Sequence, residues 1–75
     1  MDTRSKVKSR LENILEDVVA TVEDVDLRDY LDSIRLVTLI VDLEEAFGIV
    51  ISDEDFDIDK FMSVDSITEM IEKYI

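Results

Sequence analysis

The chain contains no cysteine, no histidine, no proline and no tryptophan, and a single glycine among its 75 residues. Each absence removes a class of chemistry. Without His or Cys there is no histidine general base, no thiol nucleophile, no disulfide framework and no ordinary structural-zinc ligand set. One glycine, Gly48, excludes the phosphate-cradling P-loop and the dinucleotide fingerprint. No apolar run approaches the roughly 18 residues that span a bilayer, and no signal-peptide pattern opens the chain. The expectation is a cytoplasmic protein that enters no membrane and is not itself an enzyme. Its length allows one domain, 1–75, burying only about 60% of the surface its unfolded chain would expose.

What is present is mostly negative charge. Twenty acidic residues against eight basic ones give a net charge of −12. Residues 1–10 run the other way, with Arg4, Lys6, Lys8 and Arg10 against Asp2, a net of +3; residues 11–75 hold four bases and nineteen acids, a net of −15. Such a surface repels nucleic-acid phosphates and anionic lipids and steers toward basic protein partners. At 47% hydrophobic residues, however, the chain is too apolar to be disordered.

Apolar spacing organises the chain. Val7, Leu11, Ile14, Leu15, Val18 and Val22 form one helical stripe, predicting a helix from about Thr3 to Ala20. Residues 21–32 lose that period and read as a long loop, with Val25, Leu27, Tyr30 and Leu31 turned to the core. A second helix is predicted over Ser33–Phe47, with Asp32 as N-cap and Gly48 just past its end. After a brief Ile49-Val50-Ile51 link, Ser52 is placed to cap a short helix through Phe56. Ser63 is placed to cap a last helix with Ile67, Met70, Ile71 and Tyr74 on one side. The expected fold is all-α: a small four-helix bundle of three main helices and one short one, with a long loop between the first two.

Three motifs stand out. The run Asp53-Glu54-Asp55-Phe56-Asp57-Ile58-Asp59 suggests a calcium loop, but the required glycine is Ile58 and the required bidentate glutamate is Val64, so no EF-hand is expected. The second helix has two apolar stripes. Leu36, Leu39, Ile40, Leu43 and Phe47 form the core face, while Ile34, Val37 and Val41 form another, with Glu44 and Glu45 near its end. That second stripe is either covered by the long loop or open to a partner. Finally, Asp-Ser-Ile occurs twice, at Asp32-Ser33-Ile34 and Asp65-Ser66-Ile67. Ser33 heads the two-striped helix after a long loop, whereas Ser66 lies behind a better cap, Ser63.

In length, acidity, helical layout and the Asp32-Ser33-Ile34 opening of the second helix, the chain resembles the acyl carrier proteins. The stretches Leu43-Glu44-Glu45-Ala46-Phe47-Gly48 and Ile51-Ser52-Asp53-Glu54 add to the likeness. The resemblance implies 4′-phosphopantetheine attached to Ser33 through a phosphodiester, with acyl groups carried as thioesters on its thiol. It implies a phosphopantetheinyl transferase and acyl- or aminoacyl-loading and synthase enzymes as partners, docking near Asp32, Ile34, Val37, Val41, Glu44 and Glu45. Members serving fatty-acid synthesis usually carry acids where Arg35 and Thr38 stand here, and peptidyl carriers usually show Gly-Gly where Tyr30-Leu31 stands. Leu31-Asp32-Ser33 and Phe56-Asp57…Lys60-Phe61 are similar to D-alanyl carrier proteins and other specialised carriers. Running from Met1 to Ile75, the chain is expected to be a discrete, monomeric carrier in fatty-acid, polyketide or related biosynthesis. The competing class is an acidic protein-interaction module without a prosthetic group, which leaves the placement of Ser33 unexplained.

Overall fold

Three α-helices carry the fold in the computed structural model, which describes residues 2–16 and 21–75: α1 (Thr3–Ile14), α2 (Ser33–Phe47) and α3 (Val64–Glu72). Four 3-10 turns join them, at Val22–Asp24, Leu27–Asp29, Asp53–Asp55 and Ile58–Phe61. No strand occurs among the described residues. The all-α expectation therefore holds, with three α-helices and no fourth short α-helix among the described residues. The short turn of helix expected through Phe56 is a 3-10 turn over Asp53–Asp55, with the Glu54 N–H donating to Ser52 Oγ at 3.3 Å; a second follows at Ile58–Phe61, and the expected long loop carries two more.

The aspartate run keeps this segment in short turns. Asp is a poor helix former because its short carboxylate competes for nearby backbone donors. Asp57 does this, accepting the Asp59 N–H at 3.0 Å as the N-cap of the Ile58–Phe61 turn. Asp26 does the same to the Arg28 N–H at 3.0 Å in the loop before α2. The first helix also differs from expectation. It ends at Ile14, with Leu15 leaving helical geometry at φ −102° and ψ 54°. Carboxylates at Glu12 and Glu16 crowd the negative end of the helix dipole, which disfavours extension. Val18, assigned by the sequence to the same stripe, lies outside the described residues.

α1 packs against both α2 and α3, and the core forms where they meet. Val7 and Leu11 of α1, Leu39, Ile40 and Leu43 of α2, Phe61, and Ile67 and Ile71 of α3 are buried. The loop contributes Val22, Leu27 and Leu31, with Val25 and Tyr30 half-buried against them, as the sequence implied. Tyr74 lies just beyond α3 rather than on it, yet still packs on the core.

The basic N-terminal segment has a structural role that composition did not reveal. Arg4 pairs with Glu23 at 2.8 Å and with Asp65 at 2.7 Å, and Lys8 pairs with Glu23 at 2.8 Å. Arg10 stands 3.5 Å from Asp42 of α2. Lys6 donates to the Ala46 carbonyl at 2.5 Å and lies over the Phe47 ring, 4.8 Å from its centroid. Elsewhere, Arg28 bridges Asp26 and Asp59, and Lys60 holds Asp55, which also accepts the Tyr74 hydroxyl.

These pairs fix how stability depends on pH. Hydrogen bonds from Lys8 and Arg4 hold the Glu23 carboxyl below its ordinary value, Arg28 does so for Asp26, and Lys60 with Tyr74 for Asp55. A carboxyl depressed in the folded state binds fewer protons there than when unfolded. Its contribution is present above the ordinary carboxylate range, near pH 4, and is lost as pH falls through and below it. Urea unfolding midpoints at pH 7, 4 and 2.5 should therefore fall in that order. A midpoint that rises on acidification would show that relief of the net negative charge outweighs the pairs.

Candidate functional site

The approach to α2 is fixed before the helix begins. Leu27 N–H donates to the Met62 carbonyl at 2.9 Å, and Tyr30 and Leu31 N–H groups both return to the Leu27 carbonyl. Leu31 is buried, so the chain reaches Asp32 from an anchored position. Asp32 is extended, at φ −100° and ψ −175°, as an N-cap should be, and its carboxylate accepts the Arg35 N–H at 2.8 Å. Its carbonyl accepts the Leu36 N–H at 2.9 Å, the first bond of the helix. Arg35 reaches back in turn, donating from its guanidinium to the Tyr30 carbonyl at 3.4 Å.

With the capping done by Asp32, Ser33 stands exposed at the first helical position, and among the described residues no hydrogen bond engages its hydroxyl. The Ser33 and Ile34 N–H groups are likewise left without an intrahelical acceptor, as the first N–H groups of any helix are. Ser66 differs in both respects. Its N–H goes to Ser63 Oγ at 3.0 Å, and its hydroxyl donates to the Lys60 carbonyl at 2.9 Å. One copy of the tripeptide presents a free hydroxyl, and the other has spent it on the fold.

The second stripe of α2 is open. Ile34 is 77% exposed, Val37 52% and Val41 46%, so the loop does not cover them. On the core face Leu39, Ile40 and Leu43 are buried, while Leu36 and Phe47 are half-buried against the cluster. The far end of α2 is fastened as firmly as the near one. Gly48 adopts φ +66° and ψ +41°, a left-handed C-cap that disfavours side chains, and the Gly48 and Ile49 N–H groups both return to the Glu44 carbonyl. Glu44 was expected among the docking carboxylates. Instead it is half-buried, and its carboxylate accepts the Ile51 N–H at 2.8 Å, tying the following link to the helix. Glu45 is exposed. No sequence signal marks Glu44 for that bond, since it forms only once Gly48 has reversed the chain.

An exposed hydroxyl on an anchored helix start, beside unbonded N–H groups and the positive end of a helix dipole, suits a phosphodiester link. Residues 5–71 match the model of the phosphopantetheine attachment site family. The chain belongs to that family. No curated protein and no solved structure matches it. Domains of this family are where 4′-phosphopantetheine is covalently attached, and carrier domains interact in general with phosphopantetheinyl transferases and synthase enzymes. No helix among the described residues is long and apolar enough to cross a membrane.

The two serines should differ in what they contribute to stability. Ser66→Ala removes the donor to the Lys60 carbonyl and should cost about 1 kcal/mol. Ser33→Ala removes no bond and should stay within about 0.5 kcal/mol of the parent, as exposed substitutions do. Urea unfolding of the two variants checks this; equal losses would mean that the Ser33 hydroxyl is bonded in solution.

Proposed function

We propose that this domain is a carrier whose 4′-phosphopantetheine arm is linked to Ser33 Oγ, and that it presents acyl or aminoacyl groups to enzymes of fatty-acid, polyketide or related biosynthesis. The observation that carries the reading is the free, exposed Ser33 hydroxyl at the head of α2, inside a chain of the phosphopantetheine-attachment family. When bound, the arm supplies the thiol on which cargo rides as a thioester. The chain's own residues then have positional tasks only. Asp32 caps α2 and keeps the serine hydroxyl out of the helix's own bonding. The helix start offers N–H groups and a positive dipole end to the singly charged phosphodiester. Leu31 and the Leu27–Met62 hydrogen bond hold that start in place.

A carrier built this way makes no bonds itself, which accords with a chain lacking His and Cys. Its partners, the transferase and the loading and synthase enzymes, reach Ser33 over the exposed side of α2, where Ile34, Val37 and Val41 stand. Brief, weak contacts suit a protein that must visit several enzymes in turn.

Intact-mass measurement after co-expression with a phosphopantetheinyl transferase tests the assignment. The parent and Ser66→Ala should gain the mass of one phosphopantetheine, and Ser33→Ala should gain none. A mass gain on Ser33→Ala, or none on the parent with a competent transferase, overturns it.

A further inference from the structure

The chain has four lysines, Lys6, Lys8, Lys60 and Lys73, and the fold treats one of them differently. Lys6 donates to the Ala46 carbonyl at 2.5 Å and lies over the Phe47 ring. Lys8 pairs with Glu23 at 2.8 Å, and Lys60 pairs with Asp55 at 2.5 Å. All three are half-buried. Lys73 is the C-cap of α3 and is exposed. Among the described residues its ammonium makes no hydrogen bond or ion pair.

A lysine ammonium has only protons to offer, and it becomes a nucleophile once it gives one up and frees its lone pair. Engagement opposes that step. The hydrogen bond to Glu23 holds the Lys8 ammonium above its ordinary value, and the bond to Asp55 does so for Lys60. Each unit of such a rise leaves about tenfold less free amine at neutral pH. Lys6 has its ammonium on a carbonyl and over a ring, which shield it from an incoming group. Lys73 meets none of these obstacles.

We propose that Lys73 is a site of N-acylation by acyl thioesters. Its neutral amine attacks the thioester carbonyl, the new C–N bond forms and the C–S bond breaks. The departing thiolate takes up the proton that the amine sheds, so the products are an amide on Lys73 and a free thiol. The donor is a thioester on the chain's own arm or a free coenzyme A thioester; the first source rests on Ser33 being the attachment site, and the second does not. Acylation removes one cation, taking the net charge from −12 to −13, and it does so at the negative end of the α3 dipole. Exposed ion pairs open often, so the preference for Lys73 is severalfold rather than absolute.

Peptide mapping by mass spectrometry, after incubating the apo chain with acetyl-coenzyme A, tests this. Lys73 should carry at least about fivefold more acetyl than Lys6, Lys8 or Lys60. In guanidinium chloride the four should converge. Lys73→Arg should lose most of the lysine-bound acetyl with its circular dichroism unchanged, and Glu23→Gln should raise acetylation of Lys8. Equal labelling of the four lysines in the folded chain overturns the proposal, as does a preference for Lys73 that persists in guanidinium chloride. A second arm of the experiment starts from the chain carrying acetyl-phosphopantetheine. Acetylation of Lys73 at a rate independent of protein dilution marks the chain's own arm as donor; acetylation that needs added acetyl-coenzyme A marks the free thioester. A phosphopantetheine mass gain on Ser33→Ala would remove the attachment-site reading and leave the result with acetyl-coenzyme A standing, so the two failures are distinguishable.

Discussion

An imbalance of charge is the constraint against which this fold is built, and α1 is the element that meets it. Half of the chain's eight cations sit between Arg4 and Arg10, and together they reach the loop, α2 and α3. Arg4 and Lys8 converge on Glu23 of the loop, Arg4 also reaches Asp65 at the start of α3, and Arg10 stands against Asp42 of α2. Lys6 meets the carbonyl end of α2, where a cation opposes the negative pole of the helix dipole. Exposed pairs of this kind are individually weak. Their value lies in placement, because the same helix buries Val7 and Leu11 in the core, so packing α1 brings its cations to three acidic neighbours at once.

The same economy governs α2. A carrier's arm has to be presented repeatedly from one geometry to different enzymes, and sites on rigid elements hold geometry better than sites on loops. Here the helix is fixed at its start by Leu31 and Asp32 and at its end by Gly48, Glu44 and Lys6, with Leu39, Ile40 and Leu43 buried between. Among the contacts between described residues, those that fasten the helix lie on its core side or at its ends, and Ile34, Val37 and Val41 stand exposed away from them.

Local chemistry was the part of this architecture that the sequence made legible. Asp32 as N-cap, Ser63 as N-cap, Gly48 as C-cap, the core stripe of α2 and the inward residues of the loop each depend on neighbours within a few positions, and each appears as expected. Context sets Ser33 apart from Ser66, and the fold adds a contrast that no local pattern carries, an exposed hydroxyl with no bond among the described residues against one bonded to the Lys60 carbonyl. What the sequence hid were contacts between distant segments. The cations of α1 alternate at every second residue, a spacing that marks no single helix face, so nothing in the pattern announced their targets. The turn capped by Ser52 lies where the sequence placed it, whereas the second turn, capped by Asp57 over Ile58–Phe61, was not foreseen.

The bond from the Leu27 N–H to the Met62 carbonyl is made by backbone atoms alone. The exposed side chains on either side of that contact, including the Arg28 and Asp59 pair that reinforces it, can therefore change without loss of the tie itself, while Leu27 is kept by its place in the core. Only a residue with no amide hydrogen at position 27 would remove it. The approach to Ser33 thus separates into a backbone hydrogen-bonded frame that tolerates sequence change and a surface that can diverge, which is the division a scaffold needs if related chains are to keep one helix-start geometry while being recognised by different enzymes.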